Sequence, residues 1–332
     1  MLGVAVIGTG LGEQHARAYV RTGMCTLRWV YDLDRDRMTR LVTELGHGAA
    51  ASSFEAVLGD QSVDIVSIAS YDDAHFTQVV ATLDAGKHVF VEKPLCRSVD
   101  ELRVIKQSWE RNGERHLASN LVLRAAPVYQ WLKRKMDVGG LGDIYAFDGD
   151  YLYGRVHKIT DGWRKDVQDY SVMQGGGVHL VDLMLWLTGQ KPGSVLAVGN
   201  RICTAGTPFR YNDYMSATFQ FASSLIGRIT ANFGSVHRHQ HVVRVFGTEG
   251  TFIYDDMGPR LHTSRDPSVS ATALDLPGLP ASKGDLIPGF IKAILSGEDA
   301  GPHTQHEFDV ISACVAADRA VASAESIKID YV

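Results

Sequence analysis

The chain is poor in cysteine: Cys25, Cys96, Cys203 and Cys314 are the only four among 332 residues, and they stand far apart. That spacing builds neither a zinc-binding pair nor a disulfide framework, so reduced thiols in a cytosol are expected. No apolar run is long enough to span a bilayer as a helix. Before the strand-like pattern of Met1 to Gly8 there is no basic, then apolar leader with a cleavage site, and a cytoplasmic rather than secreted location is expected. A surplus of positive charge is missing too. The formal net charge is −5, so nothing in the composition attracts nucleic acid or an anionic membrane. What remains, 45% apolar and 21% charged residues, is ordinary for a soluble globular protein. The chain is longer than one compact core usually grows, so two domains are expected.

Val4 to Ile7 reads as a short apolar strand, followed at once by Gly8-Thr9-Gly10-Leu11-Gly12 and a helical stretch, Glu13 to Thr22. Glycines at a strand-to-helix turn let backbone amides approach a pyrophosphate, and the helix amino terminus adds partial positive charge. The usual spacing puts a third glycine at position 13, but Glu13 stands there and Gly12 comes one place early. A second strand, Leu27 to Tyr31, ends in Asp32, where an acid accepts hydrogen bonds from an adenosine ribose. A helix cap or a solvated turn is the plainer alternative for Asp32. An acid there repels a 2′-phosphate, which favours NAD, while Arg35 and Arg37 keep NADP as the lesser option.

The alternation continues through a strand, Asp64 to Ser70, a helix, Asp73 to Ala85, and a strand, His88 to Val91. Ser98 and Glu101, at capping-box spacing, open another helix to about Glu110, and His116 to Ser119 is a last short strand. Repeated strand-helix units give an α/β, doubly wound parallel sheet, a Rossmann dinucleotide-binding domain over residues 1–120. Ser70, Tyr71 and His75 fall at the carboxyl end of a strand, where open sheets bind ligands. His75 reads equally as a cofactor contact or as a helix-start histidine satisfied by backbone. The strand from His88 runs into Glu92-Lys93-Pro94. A strand buried on both faces has no packing use for an acid and a cation, so Lys93 is the leading chemical group, against a solvated strand-end lysine.

Residues 121–332 read as a second, α+β domain. A helix from about Ala125 to Met136 is followed by alternating runs, Ile144–Tyr153, Val195–Cys203, Tyr214–Phe221, Leu225–Phe233 and Val242–Tyr254, that predict a large, mostly antiparallel sheet. Gly247-Thr248-Glu249-Gly250 divides the last run as a hairpin turn would. The segment 266–283 reads as a surface loop, before helices at about Leu286–Leu295 and Glu307–Ala324 and a strand at Ile327–Asp330. Gly175-Gly176-Gly177 precede a helix to about Leu187; glycines there allow a substrate to approach the backbone, and His179 can point into a cleft. Asp182 shares a helix face with His179, and a salt bridge or cap is its plainer role. His237, His239 and His241 alternate as on one strand face. With no other ligand nearby, a solvated or substrate-facing strand is expected rather than a metal.

Gly8-x-Gly10, Ser70-Tyr71-Asp72-x-x-His75, Ala85-Gly86-Lys87-His88-Val89 and Glu92-Lys93-Pro94 stand in the order of the signatures of the Gfo/Idh/MocA oxidoreductases. The chain resembles that family, which includes glucose-fructose oxidoreductase and inositol dehydrogenase, over essentially its whole length. The resemblance implies that Lys93 lies beside nicotinamide and the reacting hydroxyl, often across a cis bond to proline. Thr9 and Leu11 of the glycine turn count with the cofactor side, to which the resemblance adds Glu92 and, from the second half, Trp163 and Arg164. Arg124, Gln174 and His179, with Lys93, are the substrate-side candidates.

A homodimer or homotetramer is implied as well, with residues 121–332 as the substrate-binding and oligomerisation domain. Many members carry an aspartate four residues before the histidine; here the position is Gly175, so Lys93 or a nearby tyrosine would share the task of His179. The implied activity is NAD-dependent hydride transfer between nicotinamide and a ring CH–OH or C=O of a sugar, nucleotide sugar or cyclitol. His179 would handle the proton and Lys93 the developing alkoxide charge. An NAD-dependent glycosidase-like enzyme working by transient oxidation, and a non-catalytic NAD-binding sensor, are the alternatives.

Overall fold

The computed structural model describes residues 1–332. They divide into two compact units, Met1–Val122 with Ala281–Ile311 and Val332, and Leu123–Pro280 with Ser312–Tyr331.

In the first unit β1 (Leu2–Ile7), α1 (Gly12–Thr22), β2 (Cys25–Tyr31), α2 (Arg35–Leu45), β3 (Ala49–Ala50), α3 (Phe54–Gly59), β4 (Ile65–Ile68), α4 (His75–Asp84), β5 (His88–Val91), α5 (Val99–Arg111) and β6 (Leu117–Ser119) alternate. The strands form one parallel sheet of order β3-β2-β1-β4-β5-β6. Chain order reverses between β1 and β4, the point at which such sheets hold ligands. β1, β4 and β5 are apolar runs because both faces of the sheet are covered. The helix signals work locally. Ser98 Oγ accepts from Glu101 N at 3.1 Å and the Glu101 carboxylate accepts from Arg97 N at 2.7 Å, closing the expected box at the start of α5.

The second unit holds α6 (Pro127–Asp137), β7 (Ile144–Leu152), α7 (His157–Thr160), α8 (Val178–Thr188), β8 (Pro192–Asn200), β9 (Tyr214–Phe221), β10 (Ile226–Asn232), β11 (Gln240–Gly247), β12 (Thr251–Asp255), β13 (Gly258–His262) and β14 (Thr272–Ala273). Then follow α9 (Ile287–Ser296), α10 (Gly301–Ser323) and β15 (Ile327–Lys328). The nine-stranded sheet has the order β14-β13-β12-β11-β7-β10-β9-β8-β15 and is antiparallel except between β7 and β10. Its inner face buries Phe147, Tyr151, Phe219, Ile229, Val243 and Val245. Gly149 on β7 lets α8 come close: a side chain there would begin 3.2 Å from Leu180. Accordingly α8 is buried along almost its whole length.

Residues 281–311 join the first unit although they follow the second in sequence. The cause is α9, whose Ile287, Phe290 and Ile291 are buried with Val4, Ala16, Tyr19 and Phe90. α10 begins at Gly301, earlier than its apolar pattern predicts, because Asp299 Oδ1 accepts from Gly301 N at 2.9 Å. No helix is long and apolar enough to cross a membrane.

Candidate active site

The glycines after β1 have three different jobs. Gly8 has φ +83°, and a Cβ on it would lie 2.5 Å from the Ala69 carbonyl oxygen, so only glycine lets the β1 turn pass the end of β4. Gly12 brings α1 onto the sheet, its missing side chain replaced by Val6 and Ala69 at 3.0 and 3.1 Å. Gly10 has open space where a side chain would be. Gly12 therefore does the close helix–sheet packing one residue before the usual position. α1 also starts without a side-chain cap. An open glycine followed by uncapped amides fits a pyrophosphate.

Asp32, at the end of β2, ties this turn down: its Oδ2 accepts from both N and Oγ1 of Thr9 at 2.5 Å, and its Oδ1 from Asp34 N at 2.8 Å. Burial opposes its ionisation, but the Thr9 hydroxyl, the N–H groups of Asp34 and Thr9, and Arg37 outweigh burial and hold the carboxyl below its usual range. The acid is thus an anion next to the glycine turn. Leu11 and Tyr71 are exposed, and the Ser70 hydroxyl donates to Gln78 Oε1 at 2.6 Å.

Lys93 is half-buried just past β5, and its bond to Pro94 is cis. The residues on either side of it turn inward. The Glu92 carboxylate is 3.2 Å from His15 Nε2 and accepts from Asn120 Nδ2 at 2.7 Å, while His15 Nδ1 meets Ser67 Oγ at 3.0 Å. Asn120 Nδ2 also reaches the Lys283 carbonyl at 2.8 Å. Burial alone would raise the Glu92 carboxyl; the hydrogen bond and charge of His15, the Asn120 amide and the Lys93 ammonium instead lower it to about 2. On the other side, His75 Nδ1 lies 2.7 Å from the Pro94 carbonyl and its Nε2 3.3 Å from that of Ser70, with no exposed surface on the residue. The backbone-satisfied reading of His75 therefore replaces that of a cofactor contact. Likewise Glu92 spends its carboxylate inside the unit, since a buried anion needs partners and His15 and Asn120 supply them.

In the second unit His179 lies in the first turn of α8, 6% exposed, with its ring 6.5 Å from that of Tyr151 and 5.9 Å from that of His241. His239 and Phe233 complete an aromatic cluster around Tyr151. The glycines before His179 correct the sequence reading. Met173–Gly177 is a π-turn, and all three glycines are buried. Side chains on Gly175, Gly176 and Gly177 would begin 2.3 Å from Tyr170 Oη, 2.3 Å from Tyr151 Cε1 and 2.5 Å from Met173 Sδ. These glycines make room for neighbouring side chains; they do not bare the backbone for a substrate. At position 175 the space that a longer residue would fill belongs to a phenol.

Two substrate-side candidates are engaged by protein groups. Arg124 makes a bidentate ion pair with the fully buried Asp182, the plainer role foreseen for that aspartate. Gln174 Nε2 donates to Asp318 Oδ2 at 2.8 Å. Trp163 and Arg164 share a short 3-10 turn in which the guanidinium sits 4.4 Å from the indole. His237 precedes β11 and turns to Asp256 at 2.9 Å, so it leaves the face that His239 and His241 share. Sequence reasoning passed over His15, Tyr151 and Asp318, whose partners lie far away in the chain.

Residues 2–120 match the family described as "Oxidoreductase family, NAD-binding Rossmann fold", and residues 129–253 match the GFO/IDH/MocA C-terminal domain. Inositol 2-dehydrogenase 3 of Saccharopolyspora erythraea is 34% identical over 55% of this chain and 53% of its own. The scyllo-inositol 2-dehydrogenase (NAD(+)) of Bacillus subtilis is 27% identical over 86% of this chain and 80% of its own. Among solved structures, levoglucosan dehydrogenase in complex with NADH and levoglucosan superposes with a TM-score of 0.86 at 19% identity, covering 100% of both chains. With both halves matched in order, the chain belongs to the Gfo/Idh/MocA family of oxidoreductases, and its first unit is an NAD-binding Rossmann fold.

Proposed function

We propose that the protein is an NAD-dependent dehydrogenase or reductase acting on a ring CH–OH or C=O of a sugar or cyclitol, with Lys93 and His179 as its catalytic side chains. The observation that carries this reading is the fixing of Lys93 at the end of β5. Glu92 is held inward by His15 and Asn120, and the Pro94 carbonyl is held by His75, so the lysine between them has a determined backbone. Rigid support of that kind is what a positioned catalytic group requires. The relatives named for inositols and levoglucosan support a ring polyol as substrate.

When bound, NAD supplies or accepts the hydride. The chain's own residues do the rest. Gly10 and the amides opening α1 receive the pyrophosphate, and the ionised Asp32 receives the ribose hydroxyls, which favours NAD over NADP. Lys93 hydrogen-bonds the reacting oxygen and stabilises negative charge on it. An imidazole nitrogen of His179 takes the hydroxyl proton in oxidation and returns it in reduction. Ser70, Tyr71, Trp163 and Arg164 remain cofactor-side candidates. Self-association is part of the proposal: Leu196, Val198 and Ile226 are exposed on the outer face of the second sheet.

The test is Lys93→Ala and His179→Ala, each assayed for NADH binding by fluorescence and for turnover on levoglucosan, myo-inositol and scyllo-inositol. Binding should persist while turnover falls on the order of a hundredfold or more. Turnover unchanged in Lys93→Ala removes the lysine from the mechanism. Wild-type protein that binds NADH but turns over no ring polyol refutes the activity.

A further inference from the structure

The chain that delivers His179 passes through a π-turn carrying three glycines, so few of its own side chains can fix its path. Its entrance is held from outside. Ser171 Oγ accepts from Gln174 N at 3.1 Å and donates to Asp318 Oδ1 at 2.6 Å, while Gln174 Nε2 donates to Asp318 Oδ2 at 2.8 Å. The Ser171 carbonyl accepts from Gly175 N at 2.8 Å. Both carboxylate oxygens of Asp318, on α10, are thus spent on the turn that precedes His179.

The proton inventory gives this arrangement a direction. An ionised carboxylate can only accept, so the serine hydroxyl must point at Asp318 and keep its lone pairs for Gln174 N. A protonated or amidated residue 318 donates as well, and can turn the serine away from that role. We propose that Asp318 in its ionised form is a positioning residue for His179, acting through Ser171 and Gln174. The inference rests on the catalytic role proposed for His179.

The neighbouring groups leave Asp318 as the one that titrates. Ser171 and Gln174 do not ionise in this range. Cys314, one turn earlier on α10, is pushed well above its ordinary range by burial, Asp318 and Asp182, so it stays a neutral thiol. Asp182 on α8 is paired with Arg124. Desolvation pushes the Asp318 carboxyl up to about 6 against the pull of Ser171 and Gln174, so the accepting form is present above that pH and lost below it.

The experiment uses the full chain, Asp318→Asn and Ser171→Ala, with three readouts. Hydrogen exchange at pH 8 should speed up in residues 174–179 of both variants and stay unchanged in β1 to β6; this arm needs no activity. The kcat should fall on the order of tenfold, with the KM for NAD unchanged. The acid limb of kcat between pH 5 and 7 should be steeper than one proton in wild type and follow a single proton in Asp318→Asn. Because Asp318→Asn removes a desolvated charge, its thermal midpoint should not fall. Unchanged exchange at 174–179, or a lower midpoint with an unchanged pH slope, overturns the assignment. Exchange that responds in a protein inactive on every ring polyol would refute the dehydrogenase reading instead, leaving the local clamp intact.

Discussion

Replacing Glu92 with Gln keeps the shape of the side chain and removes its charge, so it isolates what the buried anion contributes. Its carboxyl is lowered from 4.5 to about 2. Each pKa unit is worth about 1.4 kcal/mol, so the ionised form favours the folded state by ~3 kcal/mol at neutral pH. The figure agrees with the about 3–5 kcal/mol lost when one partner of a buried ion pair is removed. The sign follows from the direction of the shift. A depressed carboxyl stabilises the fold above its unfolded pKa of 4.5 and loses that contribution as pH falls toward about 2. Wild type and Glu92→Gln should therefore differ by ~3 kcal/mol at pH 7 and by about 1 kcal/mol at pH 3.

The assay is hydrogen exchange of the β4, β5 and β6 amides, which reports the first unit rather than the chain as a whole. A thermal scan should show the first unit melting about 6–12 °C lower at pH 7, at about 2–4 °C per kcal/mol for a unit of this size. Equal protection at pH 7, or a gap that stays constant down to pH 3, would refute the electrostatic account of the clamp.

Two further outcomes test the second unit. Arg124→Ala leaves the fully buried Asp182 without its guanidinium and should cost about 3–5 kcal/mol in a urea titration, whereas Arg124→Ala with Asp182→Ala should recover much of the loss. A raised substrate KM with unchanged stability would instead return Arg124 to the substrate. Gly175→Ala places a methyl group 2.3 Å from Tyr170 Oη, on a ring packed against Phe209 and Phe233 that cannot easily move. It should destabilise by about 1–3 kcal/mol, and Tyr170→Phe in the same chain should relieve part of that cost. Additive effects in the double variant would show that the phenol does not hold that space.

The parallel sheet was legible because its signals are local. Apolar runs of strand length, glycines at their ends and the Ser98-Glu101 cap each act within a few residues, and the structure uses them as read. The return of residues 281–311 to the first unit was not legible, because an amphipathic helix says that it has a buried face and not which core receives it. The glycines at 175–177 were visible as unusual, but their purpose came out reversed. Sequence can show that side chains are missing; only coordinates show that Tyr170, Tyr151 and Met173 occupy the space.

The same limit of range explains which polar partners went unseen. His15 meets Ser67 and Glu92 across 52 and 77 residues of sequence, and Asp318 meets Ser171 across 147. No spacing rule reaches that far. Once those pairings are known, Glu92, His75, Arg124 and Gln174 each have a protein partner that accounts for their placement. Buried polar groups demand such partners, and these residues have found theirs within the protein. The proposed catalytic pair is correspondingly short: Lys93, its backbone fixed on both sides, and His179, set in a wall of aromatic and imidazole rings. Chemistry carried by two side chains depends on how accurately each is held, and the charges around them are arranged to do the holding.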